Sequence, residues 1–127
     1  MQRYGDLFER KRSYTTRAKR GANLEKGEEN FIFVSDEEFE KMKANGEFIE
    51  QQSRNAGSKY GTAYIELERI KQGGKIPIIE VDVQGAIEVN KQALEGNFLF
   101  IYPPSFEELR KRIGNRIETE AEFKIRI

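Results

Sequence analysis

The sequence predicts an α/β domain with a parallel core and a smaller mixed β/α lobe, and three observations carry that reading. Residues 76–104 run as apolar strand (IPIIEVDV), amphipathic helix (GAIEVNKQALEG) and apolar strand (NFLFIYPP), the order of a parallel crossover unit. Upstream, two short strands, FIFV and EFIE, flank a helix of their own and form a separate lobe. The chain is 127 residues long, with 37% hydrophobic and 35% charged residues, which fits one domain with a modest core under a charged surface.

The alternation in FIFV, 31–34, predicts a short strand. Ser35 and Glu38 then form a capping box, with Phe39 and Met42 on one helical stripe. Asn45-Gly46 stops that helix, and EFIE, 47–50, reads as the next strand. RNAGSKYGT, 54–62, is predicted as a turn-rich loop leading into a helix that Gly73-Gly74 ends. Ser105 with Glu108 caps a further helix carrying Leu109 and Ile113. Thr119 and Glu122 make a third capping box, so a helix begins near 120 and reaches Ile127 after about two turns. A two-strand parallel core is thin, because parallel sheets are buried on both faces. Both ends therefore read as cut, and the expectation is the middle of a larger domain.

Composition narrows the chemistry. With no cysteine and no histidine, disulfide scaffolds, thiolate metal sites and the usual neutral-pH base are excluded. No apolar run approaches the ~18 residues of a membrane span, and MQRYGDLFERKR has no signal-like apolar stretch. The expected location is the cytoplasm. Net charge is zero, yet residues 1–20 carry seven Lys/Arg against Asp6 and Glu9. That local excess points to an anion site or to a solvated charged terminus; the whole chain is not basic, so neither nucleic acid nor membrane is an expected partner.

Four stretches suggest chemistry. In SYTTRAKR, 13–20, Arg17 and Arg20 stand among hydroxyls. Guanidinium forks and hydroxyls suit a phosphate monoester, and the alternative is a charged loop paired with downstream acids. In IIEVDVQG, Glu80 and Asp82 are expected on one face at the carboxyl end of a parallel strand, where ligands bind in such sheets; the alternative is two acids emerging into solvent. In FIEQQ…KYGT, Glu50 offers a carboxylate to the two adjacent donors of a guanine edge, with Thr62 for the neighbouring carbonyl and Tyr60 for a phosphate. In RKRIGNRIETEAEFKIRI, Arg112, Arg116 and Arg126 can fold over a transferring phosphoryl group or simply line a solvated helix.

In series, SYTTRAKR, FIFVSDEEF, GEFIE, YGT, EVDVQG and PPSFEELRKRI closely resemble the guanylate kinase family over nearly all of residues 8–127. The resemblance implies part of a P-loop nucleoside monophosphate kinase fold, with a GMP-binding lobe at about 13–64 and a partial core and start of the lid region at about 74–127. It implies transfer of phosphate from Mg·ATP to GMP or dGMP. Carried across residue by residue, Ser13, Arg17 and Arg20 match GMP-phosphate contacts, and Glu25 matches the acid that follows them. Glu50 and Thr62 match guanine readers, with Gly61 between Thr62 and the phosphate contact Tyr60. Asp82 matches a nucleotide contact, and Glu80 lies where the family has aspartate near the metal's water shell. Arg116 and Arg126 match the arginines that close over the phosphates and, with Arg17, act in catalysis, while Arg112 matches one near the adenine. No protein-held metal is expected.

Two departures accompany the resemblance. Phe31 stands where the family has a tyrosine bonded to the GMP phosphate. The phosphate loop G-x-x-x-x-G-K-[ST] is missing from these residues: QGGKIP holds the only Gly-Lys pair, followed by isoleucine and a strand. A polypeptide of these residues alone is therefore expected to lack kinase activity. The alternative role is a non-catalytic guanylate-kinase-like module that binds GMP or a phosphorylated protein partner.

Overall fold

The computed structural model describes residues 4–19, 27–53 and 57–114. It divides into two compact units, one running to Leu94 and the other starting at Glu95.

The first unit holds two sheets. Strands β1 (Phe8–Arg10) and β6 (Ile76–Ile78) pair in parallel, with Phe8 opposite Ile76 and Arg10 opposite Ile78. The second sheet has four strands in the order β3-β2-β5-β4, formed by β2 (Ser13–Thr15), β3 (Phe31–Phe33), β4 (Phe48–Ser53) and β5 (Lys59–Ala63). Its β2–β3 pair is parallel, and β5 runs antiparallel to both β2 and β4.

Two of these strands, β2 and β5, lie in segments whose sequence predicts loops. Their residues, SYT and KYGTA, include β-formers but no apolar alternation, so their pairing depends on partners far along the chain. Side chains extend the ladder between them: Thr15 Oγ1 donates to the Lys59 carbonyl at 3.0 Å, and the Lys59 N–H donates to Thr16 Oγ1 at 3.0 Å.

The predicted capping box starts α1 (Asp36–Ala44): the Glu38 N–H donates to Ser35 Oγ at 3.1 Å and the Ser35 N–H to Glu38 Oε2 at 2.8 Å. Gly46, at φ 69°, makes the left-handed turn that follows. Helix α1 buries Phe39, whose ring stacks on Phe48 at 4.5 Å. Helix α2 (Tyr64–Gln72) buries Leu67 and Ile70 and ends at Gly73-Gly74. Helix α3 (Val83–Lys91) has Asp82 as its N-cap, accepting the Gly85 N–H at 2.9 Å. Ile49, Leu67 and Val89 meet in one core cluster, joined by Tyr64, Ile79 and Leu94. Each of the three buried side chains, Ile49, Leu67 and Val89, contributes about 1.5–3 kcal/mol by leaving water.

The ladder of β6 is shorter than predicted, and the chain from Ile79 to Asp82 leaves it to enter α3. The helix then ends at Lys91, before the predicted Gly96 stop, with Ala93 in a left-handed conformation at φ 51°. In the second unit, helix α4 (Phe106–Gly114) starts where predicted, with Ser105 Oγ accepting the Glu108 N–H at 3.1 Å. Residues 97–104, predicted as a buried strand, form no ladder, and Leu99 and Ile101 stand exposed. A segment apolar on both faces needs strand partners to become a ladder, and among the described residues the parallel sheet contains β1 and β6 alone.

Candidate nucleotide site

Strand register gathers the predicted site residues onto one face. Ser13 is opposite Phe31, Thr15 opposite Tyr60, and Thr62 opposite Glu50. Paired residues share a face and neighbours along a strand alternate, so Ser13, Phe31, Tyr60, Thr62 and Glu50 all face the same way. The β2–β5 register also runs Tyr14 to Gly61. One step further along, Ser13 comes across from Thr62, and Ser13, Thr62 and Glu50 form a row over three strands.

Glu50 is the most constrained of them. Its side chain is buried, and Oε1 accepts the Thr62 hydroxyl at 2.6 Å. The other oxygen, Oε2, is buried without a hydrogen-bond partner among the described residues. A buried carboxylate oxygen left bare costs about 1–3 kcal/mol or more, so the position suits an incoming donor. Glu50 also neighbours the first turn of α3, where a Cβ added at Gly85 would lie 3.4 Å from Oε2 and 2.9 Å from Val81 Cβ.

At the β3 end of the row, the Arg17 guanidinium lies over the rings of Phe31 and Phe33, at 5.2 and 5.3 Å, and bridges Glu28 at 2.7 Å. Its backbone N–H donates to Thr15 Oγ1 at 3.1 Å, which fixes the turn leaving β2. Tyr60 meets Phe31 edge-on at 6.2 Å. Cation–ring contacts and the Glu28 bridge hold Arg17 against the sheet.

Other predicted residues are placed differently. Gly61 faces away from the row: a Cβ there would stand 2.8 Å from the Phe48 ring, so packing under Phe48 accounts for the glycine. Glu80 and Asp82 do not share a strand face as the sequence suggested, because β6 ends at Ile78. Glu80 instead bridges Arg10 at 2.6 Å, and Asp82 caps α3 beside the Glu50 neighbour Gly85. Arg112 lies on α4 of the second unit, its Nε 2.6 Å from Glu108 Oε1. Arg20, Glu25, Arg116 and Arg126 lie outside the described residues.

One residue escaped the sequence reading. Lys11 is 6% exposed, and its Nζ donates to Ser13 Oγ at 2.5 Å. Burial pushes its ammonium below the ordinary lysine range, against the opposing pull of Glu50. In the run Arg10-Lys11-Arg12 it looks like one more solvated cation; only its i,i+2 spacing from Ser13 signals a shared face.

The family model described as guanylate kinase matches residues 1–126. The chain belongs to the guanylate kinase family. Its guanylate kinase relatives include one from Clostridium perfringens, 41% identical over 87 residues, covering 68% of this chain and 40% of the relative. Another, from Trichormus variabilis, is 38% identical over 116 residues, 91% of this chain and 56% of the relative. Guanylate kinase 1 of Oryza sativa subsp. japonica is 36% identical over 128 residues, covering 100% of this chain and 33% of the relative. The chain thus spans about half or less of these guanylate kinases. The crystal structure of guanylate kinase from Anaplasma phagocytophilum superposes with a TM-score of 0.62 at 30% identity, covering 97% of this chain and 60% of that one. The guanylate kinase fold accounts for both the parallel pair and the mixed sheet described above.

Proposed function

We propose that this chain supplies the GMP-binding lobe and part of the core of a guanylate kinase, which phosphorylates GMP to GDP with ATP in the purine nucleotide metabolism of the cytoplasm. The observation that carries the reading is Glu50: a buried carboxylate with one oxygen fixed by Thr62 and the other bare, in a row with Ser13. Guanine offers adjacent ring N–H and amine donors to such a carboxylate, and adenine does not offer that pair. Glu50 is the reader of the base; Thr62, expected to read the neighbouring carbonyl, instead commits its proton to Glu50 and holds it in place.

The Arg17 guanidinium, with Arg20 and Tyr60, binds the GMP phosphate; Glu25 and Asp82 add further nucleotide contacts. Binding requires the phosphate to replace or share the Glu28 carboxylate on Arg17, an exchange of one anion for another. Arg116 and Arg126 close over the phosphates and offset the charge that spreads over oxygen during transfer. Arg112 serves the adenine side of ATP. Mg²⁺ would come with ATP and offset its phosphate charge, and Glu80, which bridges Arg10 at 2.6 Å, is the residue that would approach its waters. The GMP lobe comprises about 13–64, and about 74–127 forms partial core and the start of the lid region.

A polypeptide of these 127 residues is proposed to bind GMP without turning it over, since it holds no G-x-x-x-x-G-K-[ST] sequence to position ATP. A coupled assay should show ADP formation from ATP and GMP at background. GMP-dependent ADP formation above background contradicts the inactivity. A parallel titration with a phosphoserine peptide separates the non-catalytic alternative, because the peptide should bind far more weakly than GMP.

A further inference from the structure

We propose that Lys11 is a positioning residue of the nucleotide site: by donating to Ser13 Oγ, its ammonium turns the Ser13 hydroxyl proton outward as a donor in the row that ends at the bare Glu50 oxygen. The inference rests on reading this face as the GMP site.

Donor and acceptor counts fix the direction of the Lys11–Ser13 bond. An ammonium has three donors and no acceptor, so Ser13 Oγ must be the acceptor in the 2.5 Å bond. The Ser13 proton must then point elsewhere, and among the described residues nothing accepts it. Next in the row, Thr62 has committed its own proton to Glu50 Oε1, and Glu50 Oε2 has no donor. The row therefore presents a free donor at Ser13 and a free acceptor at Glu50. That pattern complements a purine edge with a carbonyl next to ring and amine donors, which moves Ser13 from the phosphate contact that the resemblance implies to the base.

The charge of Lys11 is what holds this polarity. Once deprotonated, the amine can accept from Ser13, and the hydroxyl can turn inward. The groups acting on Lys11 come from every side. Glu50 of β4, Glu80 beyond β6 and Glu66 of α2 favour the charged form, while burial and Arg10 of β1 oppose it. No carboxylate comes within salt-bridge distance of Nζ among the described residues, so the ammonium is balanced at longer range and remains free to bond Ser13. By linkage, a ligand that accepts from Ser13 stabilises the protonated lysine.

The test uses the full chain labelled with [13Cε]lysine, titrated with pH in the absence and presence of GMP or AMP, together with Lys11→Arg and Lys11→Met. The Lys11 resonance, assigned by its loss in Lys11→Arg, should titrate below the other lysines and move to higher pH with GMP but not with AMP. By calorimetry, Lys11→Met should weaken GMP binding about tenfold, as for loss of one charge-assisted hydrogen bond. The wild type should lose GMP affinity in alkali at lower pH than Lys11→Arg, which reports the ligand's own ring proton alone. A Lys11 resonance indifferent to bound GMP, or matching alkaline profiles for wild type and Lys11→Arg, overturns the proposal while leaving GMP binding intact. A wild-type chain that binds no GMP overturns the reading of the site itself.

Discussion

Thr62 Oγ1 donates to Glu50 Oε1 across 2.6 Å, from a threonine with no exposed surface to a glutamate that is 6% exposed. The bond leaves Glu50 one orientation and one bare oxygen. Thr62→Val keeps the shape but removes the donor, leaving both carboxylate oxygens unpaired. The expected cost is about 1–3 kcal/mol in urea denaturation, with weaker GMP binding. Thr62→Ser restores the hydroxyl and should recover most of both. A Thr62→Ser that loses more than Thr62→Val would point to packing of the methyl group instead.

Glu66 anchors the opposite face. Burial alone would raise its pKa, but hydrogen bonds from Arg12 and Arg69 outweigh that and hold it at about 2, against an ordinary 4.5. Arg12 reaches Glu66 through Nη2 at 2.7 Å and Nε at 3.1 Å, and Arg69 through Nε at 3.2 Å. A depressed carboxylate stabilises the fold fully above its unfolded pKa and loses that contribution as pH falls through the folded one. Both arginines are partly exposed, so a discounted estimate for Glu66→Gln at pH 7 is a loss of about 2 kcal/mol. The gap between wild type and variant should shrink as pH falls from 4.5 towards 2. A gap independent of pH in that window contradicts the assignment.

Gly61 has a packing role rather than a ligand-facing one. A Cβ would stand 2.8 Å from the Phe48 ring and 3.3 Å from Phe39. Gly61→Ala should therefore cost about 1–3 kcal/mol of stability, while the folded protein keeps its GMP affinity. A folded Gly61→Ala that loses GMP binding would return the glycine to the site.

Phe31 stacks with Arg17 but offers no hydroxyl. Phe31→Tyr should raise affinity about tenfold if the new hydroxyl reaches the phosphate. Because a phosphate contact ignores the base, the gain should appear with AMP as well as GMP. A gain confined to GMP would place the hydroxyl near the purine.

Where local chemistry sets an element, the sequence is readable: the Ser35–Glu38 and Ser105–Glu108 boxes and the Gly73-Gly74 stop all recur in the structure. Strands β2 and β5 were not legible, since SYT and KYGTA are polar and become strands only through each other and β4. The crossover reading of 76–104 overestimated the sheet, because apolar content measures suitability for burial and cannot supply ladder partners. Glu50 and Ser13 were found through their place in a motif series. Lys11 was missed because the burial of one cation in a basic run depends on groups distant in sequence: its backbone N–H donates to the Ile78 carbonyl, and Glu50 and Glu66 act on its charge.

The central claim is that Glu50 reads a guanine edge, and the most direct measurement is calorimetric titration of the full chain and Glu50→Gln with GMP and AMP. Glu50 should contribute about 1.5–3 kcal/mol, or about 10- to 150-fold, to the preference for GMP. In Glu50→Gln, GMP affinity should fall towards that of AMP, while AMP binding stays nearly unchanged. Equal binding of GMP and AMP by the wild type would contradict the account.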